Sequence, residues 1–397
     1  MSKLNFSKQL SLLIFVVLFT FSCSKDNELE KTKFLANENF MELSTIKEIA
    51  SNINFPVKED SSSLKSTTTQ AKSINSINEI RNKSGKTSFY IINYNEGGFV
   101  ILSADKRTQP ILGFSINNNF LVDENSYPLG LEMWMDDAIE QINDIQLSNI
   151  EQSPKEKIAW DLVQQSIIEE INTLKREPIE DCYEHTEIYT KGPLMNTTWY
   201  QTGGFNDELP YIVCSGSSFQ VYAGCVPIAM AQVMKYHQHP TNYNWSSMPL
   251  TSATSTTANF IKDIHDAIGN VYNDEPSYEC DGTGVSSSAN MGNVLISQFN
   301  YSNAIKANYN DNTVKSNISY NRPVILSGSN STSGHMWVCD GYRTTTYYND
   351  DCMAIGYLHF HMNWGWRRNN GWYSFNNFNP GNTNYNNNNK MIYNIMP

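Results

Sequence analysis

The chain has 397 residues, more than one ordinary hydrophobic core organises, which points to two units of roughly 100–200 residues behind any targeting segment. Hydrophobic residues make up 40% and aromatic residues 12%, enough for packed cores and too many for a disordered chain. A formal net charge of −12 excludes a nucleic-acid binder, whose phosphate contacts need a basic surface.

Lys3 and Lys8 precede an apolar run from Leu10 to Phe19, followed by small or polar residues up to Cys23, the pattern of an export signal. The run is roughly half the length that spans a bilayer, so no permanent transmembrane helix is expected there. Thr20-Phe21-Ser22-Cys23 resembles the lipobox of bacterial lipoproteins, which implies membrane attachment through a lipidated Cys23. Phe21 departs from the usual box, and simple secretion is the alternative. In either case the chain is expected to be exported, as an outer-membrane or cell-surface lipoprotein or as a secreted protein. Export permits disulfides. Apart from Cys23 and Cys225, five cysteines remain: Cys182, Cys214, Cys280, Cys339 and Cys352. Their number is odd and they form no C-x-x-C pair, so pairing cannot be deduced; buried thiols are the expectation, and a structural metal site is not.

Residues 24–86 read as polar linker and the start of a propeptide, with a Ser/Thr-rich patch at 61–70. Order is predicted from Thr87. Ser88–Tyr94 and Phe99–Ser103 are β-rich runs around Asn95-Glu96-Gly97-Gly98, a hairpin signal, and Ile111–Ser115 is a third strand. Apolar residues at helical spacing predict helices over Leu129–Ile145 and Ile158–Leu174. These elements make a small α+β unit at 87–180. Its charged end, Lys175 to Asp181, reads as exposed, with Arg176 and Lys191 as candidate cleavage points.

From 181 to 397 the sequence is rich in Gly, Asn, Tyr and Trp and predicts few long helices. One strong helix runs from Cys225 to His237, with Pro227 in its first turn, where the missing N–H costs nothing. Strands are predicted around Pro323–Leu326, Met336–Cys339, Leu358–Met362, Trp372–Phe375 and Met391–Ile395, and the tract Asn382–Asn389 as a surface loop.

Three segments of this second unit carry chemistry. Cys225 opens a helix behind Gly224, where the helix terminus lowers a thiol pKa and the backbone N–H faces a developing oxyanion. Ser333-Gly334-His335-Met336-Trp337 offers a histidine as general base. Met362-Asn363-Trp364-Gly365-Trp366 offers an amide that holds an imidazole in one orientation, with Trp364 able to cover it from water. Each segment alone reads more simply as core or loop; the order Cys, His, Asn is that of papain-like enzymes. His237 and His239, and His359 and His361 on one strand face, look like metal ligands, but no neighbouring Cys or carboxylate in the sequence completes either set. His237 is expected instead as a cation at the helix C-terminus.

Gly224-Cys225-Val226-Pro227 running into Ala231–His237, then Gly334-His335, then Asn363-Trp364-Gly365-Trp366, closely resembles the streptopain family (peptidase family C10) of bacterial papain-fold cysteine proteases. Trp199-Tyr200-Gln201 is similar to the family's Trp-x-Gln segment, which implies Gln201 as second oxyanion donor. Gly98–Arg107 with Ile111–Ser115 is similar to the family's inhibitory propeptide. The resemblance spans residues 87–397. It implies an α+β papain-like fold, helical around the nucleophile and antiparallel β elsewhere, behind a prodomain that acts as an intramolecular inhibitor. The implied site is Cys225, His335, Asn363, Gln201 and Trp364, acting on protein or peptide substrates without a cofactor. Two departures stand out: Arg367-Arg368 where the family usually has glycines in a loop near the cleft, read either as two cations that favour acidic substrates or narrow access or as a plain solvated turn, and Gly203-Gly204 where it often has a proline before an aromatic and Asn. Two alternatives use the same residues differently: a papain-fold amidase of cell-wall peptides, and a catalytically dead surface binding protein.

Overall fold

The computed structural model describes residues 38–56, 69–122, 127–164, 185–329, 334–348, 354–374 and 389–397. The export signal, Cys23, Cys182, Cys352, Arg176 and the charged segment around it lie outside them. So do most of the Ser/Thr-rich patch, the last ten residues of the helix predicted over Ile158–Leu174, and all but the last residue of the Asn-rich tract. The first part carries α1 (Leu43–Asn52), β1 (Asn54–Pro56), β2 (Thr69–Ala71), β3 (Ile74–Arg81), β4 (Thr87–Tyr94), β5 (Phe99–Ser103), β6 (Ile111–Ser115), α2 (Leu129–Leu147) and α3 (Pro154–Gln164). There follow β7 (His185–Lys191), β8 (Tyr211–Cys214), β9 (Ser217–Gln220), α4 (Cys225–His237), α5 (Ser255–Val271), β10 (Ser277–Tyr278), β11 (Thr283–Gly284), α6 (Met291–Phe299) and β12 (Asn303–Asn308). The chain closes with α7 (Asp311–Ser319), β13 (Val324–Ser329), β14 (Gly334–Tyr348), β15 (Ala354–Asn363), β16 (Gly371–Ser374) and β17 (Lys390–Met396).

Regular structure begins well before Thr87, in the stretch read as linker. Ile46, Ile49 and Ala50 bury one face of α1, and the Tyr90 and Tyr94 hydroxyls donate to the carbonyls of Met41 and Ala50 at 2.9 and 3.0 Å. Strand β3 carries isoleucine only at every third position, Ile74, Ile77 and Ile80, none fully buried, and lies at an edge, paired with β4 on one side only. Neither element has the long apolar run that marks β4 or β5, whose described residues are all buried.

Eleven strands form one antiparallel sheet in the order β12-β17-β13-β14-β15-β16-β6-β5-β4-β3, with β7 pairing β14 beside this path. The sheet crosses from the first part of the chain to the second where β6 pairs β16, Gly113 opposite Tyr373 and Phe114 opposite Trp372. A side chain at Gly113 would lie 3.1 Å from the Trp372 carbonyl oxygen, so the glycine permits this close approach.

Two cores lie on opposite faces of β14. One surrounds α4, which is buried from Val226 through Met234, and takes in Val338 and Ile392. The other is capped by α2 and takes in Leu131, Trp134, Trp337, Phe360, Trp364 and Tyr373. The helix content after residue 181 exceeds the sequence expectation. The 17-residue α5 presents Phe260, Ile261, Ile264 and Ile268 to the first core and starts in a Thr254–Thr257 capping box. Its Thr- and Asn-containing sequence concealed the apolar period. Cys214 and Cys280 form a disulfide joining the β8–β9 hairpin to the loop between β10 and β11, which corrects the expectation of buried thiols; Cys339 is a buried free thiol. Lys191 ends β7 and pairs with Tyr342, a poor substrate for cleavage, which needs an unpaired extended backbone.

Candidate active site

Gly224 at φ +80° turns the chain into α4, a conformation that disfavours any other residue, and Thr283 sits 3.1 Å from where a side chain would begin. Cys225 is therefore the first residue of a buried helix, half-buried itself, with its thiol at the helix N-terminus. Burial raises the thiol pKa, against the lowering expected at a helix terminus, and the backbone N–H groups of Met336, Cys225 and Val226 offset only part of that rise. The Met336 contact brings β14 to the nucleophile one residue away from His335.

His335 is not beside Cys225. Side chains alternate along β14, so Met336 and Val338 face α4 while His335 and Trp337 face α2. The imidazole stacks on Trp337, with ring centroids 6.0 Å apart and planes at 15°, and its Nε2–H donates to the Trp364 carbonyl at 3.1 Å. It is 5% exposed, and burial holds its pKa down at about 4, so the ring is neutral. Gly130, in the first turn of α2, closes this niche. A side chain there would come within 2.5 Å of His335 Cδ2 and about 3 Å of the Trp337 and Trp364 rings.

Asn363 lies opposite Val338 and so on the α4 face. Its amide is fully engaged: Nδ2 donates to the Thr197 carbonyl at 2.8 Å and to Gln232 Oε1 at 2.9 Å, while Oδ1 accepts from Gly365 N at 3.2 Å and Gln232 Nε2 at 3.3 Å. Trp364 was expected to cover this amide. Strand alternation instead turns its ring to the opposite face, against Trp337 and Tyr373 at 5.4 and 5.3 Å, and Asn363 is shielded by Gln232 and Thr197. Gln201 is buried, and its backbone carbonyl accepts from Ala223 N at 2.9 Å, two residues before Cys225.

Two positions escaped the sequence reading. Gln232 is the one buried amide among the apolar residues of α4, seven residues after Cys225, and that polar interruption was the available signal. His265 of α5 donates through Nε2 to the Ala223 carbonyl at 2.8 Å, which fixes the segment leading into the nucleophile; nothing local marked it. The other histidines serve structure. His237, expected as a helix-terminal cation, is held neutral by burial, with a pKa near 4, and bonds the Tyr301 hydroxyl. His359 donates to the Ile111 carbonyl at 3.0 Å, and His361 Nδ1 contacts Asp340 at 2.6 Å. Among the described residues no three His, Cys, Asp or Glu side chains converge as a metal site.

A model of the peptidase C10 family matches residues 199–242 and 240–373, and a model described as a Spi protease inhibitor matches 56–142. The chain matches the peptidase C10 family through its second part. Its second part is accordingly a cysteine peptidase of papain-like fold, behind a first part of the inhibitor type. Streptopain of Streptococcus pyogenes is 25% identical over 327 residues, 70% of this chain and 71% of that protein. The thiol protease/hemagglutinin PrtT of Porphyromonas gingivalis is 24% identical over 340 residues, 74% of this chain but only 34% of that protein, so this chain spans about a third of it. A solved fragment of prointerpain A from Prevotella intermedia superposes with a TM-score of 0.54 at 22% identity, covering 81% of this chain and 99% of the fragment.

Proposed function

We propose that the chain is the exported zymogen of a cysteine endopeptidase in which Cys225 attacks, His335 transfers protons, Asn363 orients the imidazole and Gln201 supports the oxyanion. The observation that carries this reading is the division of β14: Met336 packs on the side of the nucleophile helix, where its N–H favours the thiolate, while His335 next to it is held on the opposite face under Gly130. The arrangement is that of a latent enzyme. Removal of α2 would free the histidine to turn toward Cys225 by rotation of the backbone about Gly334, which is exposed.

In the active form the thiol gives its proton to His335, and the thiolate attacks the scissile carbonyl. The resulting oxyanion is bound by the Cys225 N–H and the Gln201 side chain. Imidazolium His335 then protonates the leaving amine as the C–N bond breaks, and water, deprotonated by the same imidazole, hydrolyses the thioester and restores the thiol. Export, with lipidation of Cys23, belongs to the same proposal and rests on the leader sequence; mass spectrometry of the cell-derived protein reports both the lipid and the mature N-terminus.

The test compares full-length wild type with Cys225→Ala and His335→Ala on casein, with the active-site thiol reagent E-64 alongside. Wild type is expected to cleave only after processing, and both variants to remain inactive. Equal activity in wild type and Cys225→Ala removes the thiol from the mechanism, and immediate cleavage by unprocessed protein removes the latency.

A further inference from the structure

The turn between β15 and β16 departs from a plain solvated loop. Trp366 forms an isolated antiparallel bridge with Tyr200, the residue before Gln201, so this turn stands at the wall of the cleft. Trp366, Arg367, Arg368 and Asn369 with Tyr200 and Thr202 line a groove of about 420 Å³, which Leu121 and Pro128 of the first part close from the other side.

The residues lining the groove include two arginines and no carboxylate. Both arginines are exposed, and among the described residues neither forms an ion pair. Arg367 keeps φ at +65°, a conformation natural to glycine, and lays its guanidinium over the Tyr200 ring at 5.7 Å. The Trp366 indole N–H is buried with no acceptor. A protein of net charge −12 thus places two adjacent cations, neither neutralised by a described carboxylate, at the edge of its cleft. The side of the cleft follows from connectivity: the turn continues from Asn363, which lies on the α4 face and is assigned to orient the imidazole that protonates the leaving amine.

We infer that Arg367 and Arg368 form a subsite for acidic side chains of the substrate on the leaving-group side of the scissile bond, so that the enzyme selects acidic peptides. This inference rests on the peptidase mechanism proposed above. Removing the first part of the chain takes away Leu121 and Pro128 and opens the groove to substrate. Arginine suits the role because its planar guanidinium pairs with a carboxylate through two parallel N–H donors.

The experiment measures kcat/KM of the enzyme processed from the full-length protein on internally quenched peptides in which Asp, Asn or Lys is scanned through the positions on each side of the cleaved bond. Asp is expected to exceed Asn by about three- to tenfold on the leaving-group side only, the scale of two partly solvated charge pairs. The gain should shrink toward unity in about 1 M salt. Arg367→Gln with Arg368→Gln should bring the Asp-to-Asn ratio close to one, and Arg368→Glu should turn the preference toward Lys. An Asp-to-Asn ratio that is unity in wild type, unchanged in the double variant, or raised only on the acyl side overturns the subsite. If those peptides are nevertheless cleaved and E-64 stops the cleavage, the peptidase mechanism stands while the subsite falls; if no peptide is cleaved, both fall.

Discussion

Gln232 and Asn363 meet amide to amide in the interior, each donating to and accepting from the other, and this contact ties the nucleophile helix to the end of β15. Gln232 is fully buried, so truncating it leaves one Nδ2 hydrogen of Asn363 without a partner where water cannot replace it, and leaves Oδ1 with the Gly365 N–H alone. Gln232→Ala is expected to destabilise the protein by about 1–3 kcal/mol, read by chemical denaturation of the Cys225→Ala background. The processed enzyme should also lose kcat more than it gains KM, because an unanchored Asn363 no longer fixes the imidazole. Unchanged denaturation and unchanged kcat would mean that the pair contributes neither packing nor orientation. Gln232→Glu separates the two roles, since it keeps an acceptor for Asn363 Nδ2 and loses the donor to Oδ1.

At the scale of elements, α2 is held against the sheet by the absence of a side chain. Glycine in a helix ordinarily costs about 1 kcal/mol relative to alanine, so Gly130→Ala would stabilise an isolated α2. In the protein the added methyl meets the imidazole of His335 and two indoles, all buried, and cannot be accommodated without moving the helix. Gly130→Ala is therefore expected to speed processing and to raise E-64 labelling of the unprocessed chain; slower processing with unchanged labelling would count against α2 as the latch. The disulfide acts on a different pair of elements. Cys214 and Cys280 are 66 residues apart, and the chain-entropy model assigns such a crosslink about 4 kcal/mol, so Cys214→Ser with Cys280→Ser should lower the melting temperature clearly and reducing agent should add nothing further. Much of this element structure was legible in the sequence. Helix α4 and strand β6 begin and end where periodicity and Gly or Pro punctuation put them, and β4 and β5 form the expected hairpin. What sequence could not reveal is where long-range contacts decide. The face on which His335 lies depends on a helix some 200 residues earlier, the turning of Trp364 away from Asn363 follows from sheet pairing, and α1 and β3 are held by tyrosines of β4 and by edge pairing rather than by their own apolar content.

For the molecule as a whole, the buried histidines make acidity a lever on the contact between its two parts. His237, His265, His335 and His359 are each held near a pKa of about 4, in every case chiefly by burial. In the unfolded chain they titrate near 6.5. Between those values the unfolded state binds protons that the folded state refuses, so stability falls as the pH drops from about 6.5 to about 4; below that both states are protonated and the loss is complete. Each imidazole contributes on the order of 3 kcal/mol over this window. His237 and His265 lie wholly within the second part of the chain. His335 packs under Gly130, and His359 reaches across the β6–β16 junction to the Ile111 carbonyl. The Arg343 guanidinium faces His359 from β14 and adds to the cost of charging it, and the remaining titratable neighbours there, Tyr347 and Tyr357, are neutral throughout this range. Acid should therefore loosen the inhibitory part beyond the general loss of stability. The measurement is the melting temperature of full-length Cys225→Ala at intervals from pH 7 to pH 4, with and without His359→Gln, which keeps an N–H for the Ile111 carbonyl but takes up no proton. The histidine-containing chain should lose melting temperature more steeply than the glutamine variant across that interval, and parallel curves would remove His359 from the acid response.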